Sequence, residues 1–209
     1  SAASSPGLAA AIESIVSQSG RTEVVLVGYS LGASVVLKYL AETGTGSRVR
    51  CAASVSAPLD LAGTARRMMA LRNSVYHRWL LDRMKAEAVA GASAVTSREK
   101  TAIADARTVY EFDDAFIAPR NGFANADDYY AQCSATGFLS QIPCPALIVH
   151  GRNDPWIPPD AYDSIEWGGL PGLVPAIADG GGHVGFHGVG SARTWHDSRL
   201  LAFLADVCG

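Results

Sequence analysis

The segment Val24-Val25-Leu26-Val27-Gly28-Tyr29-Ser30-Leu31-Gly32 constrains this chain more than any other. A short apolar run of the kind that forms a buried strand meets G-x-S-x-G, and the residues after it, Leu31 to Glu42, read as a helix apolar nearly all round. The pattern alone is common. Placed between a strand and a helix it describes a sharp turn that presents a serine above the C-terminal edge of a sheet. Such a turn strains the backbone at Ser30. We expect Gly28 and Gly32 to remove side chains that would collide with the neighbouring strand and helix. The Leu31 N–H falls at a helix N-terminus, where it can stabilise an oxyanion.

The rest of the chain repeats the alternation of short apolar runs and helical stretches. This is the signature of an α/β fold with a parallel sheet covered by helices. Ala9 to Ser17 reads as the end of an amphipathic helix stopped by Gly20, and Gly44 as a left-handed cap on the helix from Leu31. Val24–Val27 reads as a strand buried on both faces. Further strands are expected at Ala52–Ser56, Ala146–His150 and Leu173–Ala178. The last contains Pro175 and is placed near the sheet edge. Ser191 to Val207 reads as a closing helix. Between the second and third strands lies a long segment, 59–142, with helical stretches near Arg66–Leu71, Tyr76–Ala90 and Asp127–Ala135. A crossover needs one helix, so the excess reads as an insertion, and a helical lid is its expected use.

A serine needs a base, and the base needs an orienting carboxylate. In this fold the order along the chain is Ser, acid, His. The third strand runs into Gly151-Arg152-Asn153-Asp154-Pro155, which puts Asp154 at the same sheet edge as Ser30. After the fourth strand comes Gly180-Gly181-Gly182-His183-Val184-Gly185-Phe186, whose glycines let the loop fold back toward Ser30. His77, His150 and His196 fall in the insertion, in a strand and on the last helix. His187 is the rival to His183 for the base.

Composition excludes other classes. With 17 basic and 20 acidic residues the net charge is −3, which offers no electrostatic ground for nucleic acid or an anionic membrane as partner. No apolar run is long enough to span a bilayer, and a cytoplasmic setting is expected, with any anchor left open. Four dispersed cysteines read as reduced, mostly buried thiols. No His/Cys/carboxylate cluster has metal-ligand spacing. Gly180, Gly182 and Gly185 spell a dinucleotide fingerprint, but no βαβ unit follows them. Adjacent Asp113 and Asp114 would point to different sides of an element and read as cap or ion-pair residues.

Together GYSLGA (28–33), VSAPLDL (55–61), YHRWLLDRMK (76–85), EFDDAFIAP (111–119), GFANADDYYAQCSA (122–135), ALIVHGRNDP (146–155) and GGHVGF (181–186) resemble the YheT-like branch of the α/β-hydrolases. The resemblance runs through nearly the whole chain in order. It implies an α/β-hydrolase fold and a serine carboxylic-ester hydrolase acting without a cofactor on small ester substrates, with Ser30, Asp154 and His183 as its triad. Where the family often carries two acids before the Pro of the acid loop, this chain has Asn153 first, which favours Asp154. Ala33 stands where a second glycine often follows the elbow. Acyl transfer to an alcohol by the same residues, and a non-catalytic binding module, are the competing functions. In this fold the elbow strand is central, whereas only one helix precedes Val24. We therefore expect residues 1–209 to be the C-terminal part of a single hydrolase domain, with upstream strands and the loop giving the second oxyanion N–H supplied from outside this sequence.

Overall fold

A computed structural model describes residues 5–91, 95–188 and 190–208, which form two compact units: residues 1–60 with 134–209, and Leu61–Cys133. The first unit is built on a four-stranded parallel sheet. Its strands are β1 (Val24–Tyr29), β2 (Val49–Val55), β3 (Ala146–Gly151) and β4 (Leu173–Ala178), in the spatial order β1-β2-β3-β4. Helix α1 (Ser5–Ser19) precedes β1, and α2 (Leu31–Thr43) follows it.

Residue alternation on the strands sorts side chains to the two faces. Ala52, Ala146 and Ile148 point to the side of α1 and α2, where they pack with Ile12, Leu37, Leu40 and Tyr162. Cys51, Ala53, Val55, Leu147 and Val149 point to the other side, where Phe203 of the helix Trp195–Cys208 and Phe186 cover them. The central strands β2 and β3 are thus buried on both faces, as their near-continuous apolar runs require. β4 lies at an edge, where Pro175 is tolerated.

β1 forms the other edge of the sheet among the described residues: Val24 and Leu26 pack on the α1–α2 side, while Val25, Val27 and Tyr29 are about 40% exposed. An apolar run therefore marked a strand here without marking two covered faces. At the end of α2, Gly44 does cap the helix, its N–H donating to Leu40 O. Its φ of 60° and ψ of −148° lie outside the left-handed helical region expected of it. Cys51 and Cys133 are buried, and burial pushes the Cys51 thiol up to about 12. Cys144 is half-buried and Cys208 is exposed, its Sγ lying 3.8 Å from that of Cys51.

The second unit is all helical. The stretches expected near Tyr76–Ala90 and Asp127–Ala135 form as Ser74–Gly91 and Ala126–Cys133, and the one expected near Arg66–Leu71 lies earlier, at Leu61–Met68. Two more helical segments were not legible. Ser97–Asp105 opens with a capping box between Thr96 and Glu99, and Val109–Arg120 passes through a π-helical turn at Asp113–Ile117. Leu81, Ile103, Ala106, Phe112 and Phe116 form the core. His77 Nε2 accepts the Val109 N–H at 3.1 Å.

Asp113 and Asp114 do point apart. Asp114 Oδ1 accepts the Ala126 N–H and so caps the following helix, while Asp113 is buried and accepts from Tyr130 Oη at 2.7 Å. Burial pushes the Asp113 carboxyl up to about 6, against the opposing pull of the Tyr130 hydroxyl. The folded value lies above the unfolded one of ~3.9. Its contribution to stability is therefore complete below about pH 4 and lost as pH rises through 6. Asp113→Asn keeps an oxygen for Tyr130 and carries no charge. It is expected to raise the melting temperature of this unit at pH 8, by the equivalent of about 1–3 kcal/mol. The gain should shrink toward zero at pH 4. Melting curves at both pH values check this, and a gain that grew on acidification would contradict it.

Candidate active site

The turn after β1 has the geometry that its sequence demands. Ser30 sits at φ 51°, ψ −128°, a conformation that side chains other than glycine rarely adopt. Two backbone bonds hold it there: Ser30 N–H donates to Val55 O at 2.8 Å, and Ser30 O accepts from Ala33 N at 3.0 Å. Gly28 is required, since a Cβ at that position would lie 2.6 Å from Ala33 Cα. Gly32 is not required for the same reason, because a Cβ there meets nothing within 4 Å. Only one of the two expected collisions exists among the described residues. Ser30 precedes α2 without capping it through its side chain, so Oγ is available to a partner elsewhere. Leu31 is the first residue of α2, where backbone N–H groups point out of the helix end.

That partner is His183. Its Nε2 lies 2.9 Å from Ser30 Oγ, and its Nδ1 lies 2.8 Å from Asp154 Oδ2. The second oxygen of Asp154 accepts two backbone bonds, from Trp156 N at 2.9 Å and Ile157 N at 3.0 Å. Burial alone would raise the Asp154 carboxyl. The bond from His183 and the two N–H donors outweigh it and hold the group below its ordinary value. Asp154 is fully buried and the His183 side chain nearly so. The Trp156 and His183 rings meet at a steep angle, with centroids 4.6 Å apart. His187 is exposed and takes no part in this chain of bonds.

The loop that carries His183 is held under strain. Val184 and Phe186 have φ of 56° and 50°, and Gly181 and Gly182 have φ of 139° and 60°. Gly181 is required twice over, since a Cβ there would lie 2.3 Å from the Phe186 ring. Phe186 is buried under the sheet beside Trp195, and its carbonyl accepts the Trp195 N–H. From the other side, Asn153 Oδ1 accepts the Gly182 N–H at 2.8 Å. Trp156 and Phe186 were not singled out from the sequence, and Asn153 only as a departure in the acid loop. Position beside the candidate acid and base was the available signal for them. The glycine-rich fingerprint at 180–185 opens no helix, and among the described residues no group of three His, Cys, Asp or Glu side chains is placed to hold a metal ion.

A parallel sheet bringing a serine elbow, an acid loop and a histidine loop to one edge is a fold-level arrangement found in many enzymes, and the comparisons agree. The model of the family described as "alpha/beta hydrolase fold" matches residues 4–188. The chain belongs to the α/β hydrolase fold family. Within it, the chain is 35% identical over 191 residues to YheT of Escherichia coli, covering 88% of this chain and 56% of that protein. It is 30% identical over 189 residues to a monoacylglycerol lipase of Saccharomyces cerevisiae, covering 86% of this chain and 41% of that one. The resemblance read from the motifs thus holds. The chain spans about half the length of the curated relatives it matches. Among solved structures, the Pyrococcus furiosus esterase Pf2001 superposes with a TM-score of 0.56 at 16% identity, covering 97% of this chain and 61% of the other. A monoacylglycerol lipase from Paleococcus ferrophilus gives 0.53 at 15%, covering 97% and 74%. At these identities the structures speak for the α/β hydrolase fold alone. No helix among the described residues is long and apolar enough to cross a membrane.

Proposed function

We propose that this α/β hydrolase is a serine carboxylic-ester hydrolase. The observation that carries the reading is the unbroken chain of hydrogen bonds from Ser30 Oγ through His183 to Asp154. Ser30 Oγ attacks the ester carbonyl carbon while His183 Nε2 takes its proton. Asp154 stabilises the imidazolium that forms. The carbonyl oxygen, now an anion, accepts a hydrogen bond from the Leu31 N–H. Collapse of the tetrahedral species breaks the ester C–O bond, and the departing alkoxide takes the proton from His183. A water molecule, deprotonated by His183, then attacks the acyl-serine; the bond to Ser30 Oγ breaks, Oγ takes the proton back from His183, and the acid is released.

The relatives support carboxylic esters as the substrate class: they are named as a monoacylglycerol lipase and as a medium-chain fatty acid ethyl ester synthase/esterase. The second of these names also favours a second reading, acyl transfer, in which an alcohol replaces water in the last step. We assign the helical unit, residues 61–133, the part of a lid. Its connectivity supports this, since the chain enters the unit just past the C-terminal end of β2.

A fluorophosphonate probe tests the mechanism directly. It should attach to the protein once, at Ser30, and p-nitrophenyl esters should protect against it. The pH dependence is a second check. A histidine base must be neutral to act, so activity is lost as acidification protonates it. kcat/KM is therefore expected to rise between about pH 5.5 and 8. A flat profile over that interval would exclude a histidine base.

A further inference from the structure

The His183 loop cannot hold its own shape. Four of its residues between 181 and 186 have positive φ, two of them without the freedom of glycine. It must be fixed from outside. On one flank the Phe186 ring and backbone do this. On the other flank the acid loop meets the base loop twice, at consecutive residues. Asp154 Oδ2 lies 2.8 Å from His183 Nδ1, and Asn153 Oδ1 lies 2.8 Å from Gly182 N. A single bond between two side chains leaves a ring free to swing about it. A second bond, one residue away on each strand of chain and made to the backbone, removes that freedom.

We propose that Asn153 is a positioning residue of the active site, fixing the His183 loop through the Gly182 N–H so that the imidazole meets Ser30. The inference rests on the serine-hydrolase reading above. Its bond goes to the backbone N–H of Gly182, next to His183, so it acts on the imidazole through the backbone. A Cβ added at Gly151 would lie 3.2 Å from Gly182 O and 3.5 Å from Asn153 Oδ1, so the end of β3, the acid loop and the base loop are mutually packed.

A carboxylate at 153 could take the same N–H. It would stand beside Asp154 as a second anion on the histidine loop and favour the imidazolium, the form that cannot act as base. Within this unit, the charged and titratable groups that interact with the site are the buried His150 and Tyr162, which stack on each other, and Arg152, which is paired with Asp163 and Asp179. Asn153 thus holds the loop while leaving the charge on the base to Asp154.

Two substitutions separate positioning from simple packing. Asn153→Ala removes the acceptor from an exposed side chain, so the melting temperature should hold. Exchange of the Gly182 amide, read by NMR, should speed up by about tenfold or more as its bond is lost. kcat for p-nitrophenyl esters should fall by about 10- to 100-fold, with KM within about twofold. Asn153→Asp should restore the slow exchange and most of the activity at high pH. Its acid limb should move to higher pH, by about half a unit. Equal Gly182 exchange in the wild type and Asn153→Ala would overturn the proposal, as would an unchanged kcat, or an unshifted profile in Asn153→Asp. If the wild type does not react with a fluorophosphonate, the hydrolase reading fails. Amide exchange then decides the role of Asn153 alone: faster in Asn153→Ala upholds it, and unchanged refutes it.

Discussion

Ser30→Ala is expected to abolish turnover of short p-nitrophenyl esters, lowering kcat by about 10⁶. The expectation follows from what the serine has and what nothing else in the site can replace. Its Oγ is uncommitted to helix capping and sits 2.9 Å from the only nitrogen of His183 that is not turned to Asp154. Alanine has the same backbone requirements at φ 51°, so the elbow is no more strained by the change, and the Val55 and Ala33 bonds are unaffected. The variant should fold and melt like the parent while losing fluorophosphonate labelling. Residues acting as one unit are not additive. His183→Ala should therefore be about as damaging as Ser30→Ala, and the double variant little worse than either. His187→Ala, at an exposed side chain outside the bonded chain, should stay within about twofold of the parent. Undiminished turnover by a folded Ser30→Ala protein would sink the serine mechanism, and a larger loss from His187→Ala than from His183→Ala would move the base.

How much of this was legible in the sequence differs by element, for physical reasons. Strands β2 and β3 were readable because burial on both faces leaves an apolar run with turn residues at its ends. β1 carries the same kind of run, yet its outer face is open. Hydrophobicity records what a strand is suited to cover, and it does not tell which strand of the described sheet stands at an edge. Ser30, Asp154 and His183 could be named because each sits in a glycine- or proline-marked loop after a strand, and a parallel sheet sends all such loops to one edge. Asn153 and Phe186 could not be named that way. Their parts depend on which backbone N–H and which hollow they meet across 29 residues of chain and across the sheet. In the helical unit, the segment 109–120 was missed because Asp113, Asp114 and Pro119 interrupt the apolar period. The structure absorbs the interruption with a π-helical turn and a buried Asp113–Tyr130 bond that no periodicity encodes.

Asp154→Asn is expected to lower kcat by about 10⁴ while leaving the fold intact. The size of the effect comes from hydrogen-bond polarity. Asp154 Oδ1 accepts from both Trp156 N and Ile157 N, so an asparagine amide must put its oxygen there, because its NH₂ group cannot face two donors. The NH₂ then faces His183 Nδ1 and donates to it. Nδ1 becomes an acceptor and the ring proton moves to Nε2, the nitrogen that must take the proton from Ser30. The base is thus held in the wrong tautomer with almost no change in atomic positions. Stability should respond with a definite sign as well. The Asp154 carboxyl is held below its ordinary value, so its contribution is present above the unfolded pKa of ~3.9 and lost as pH falls through the lower, folded one. The variant should therefore melt below the parent at pH 7, and the gap should close on acidification toward pH 3. Steady-state kinetics and melting curves on the same preparation check both. If Asp154→Asn loses less than about tenfold in kcat, the orienting carboxylate is not Asp154, and the bond to His183 Nδ1 does not set the tautomer.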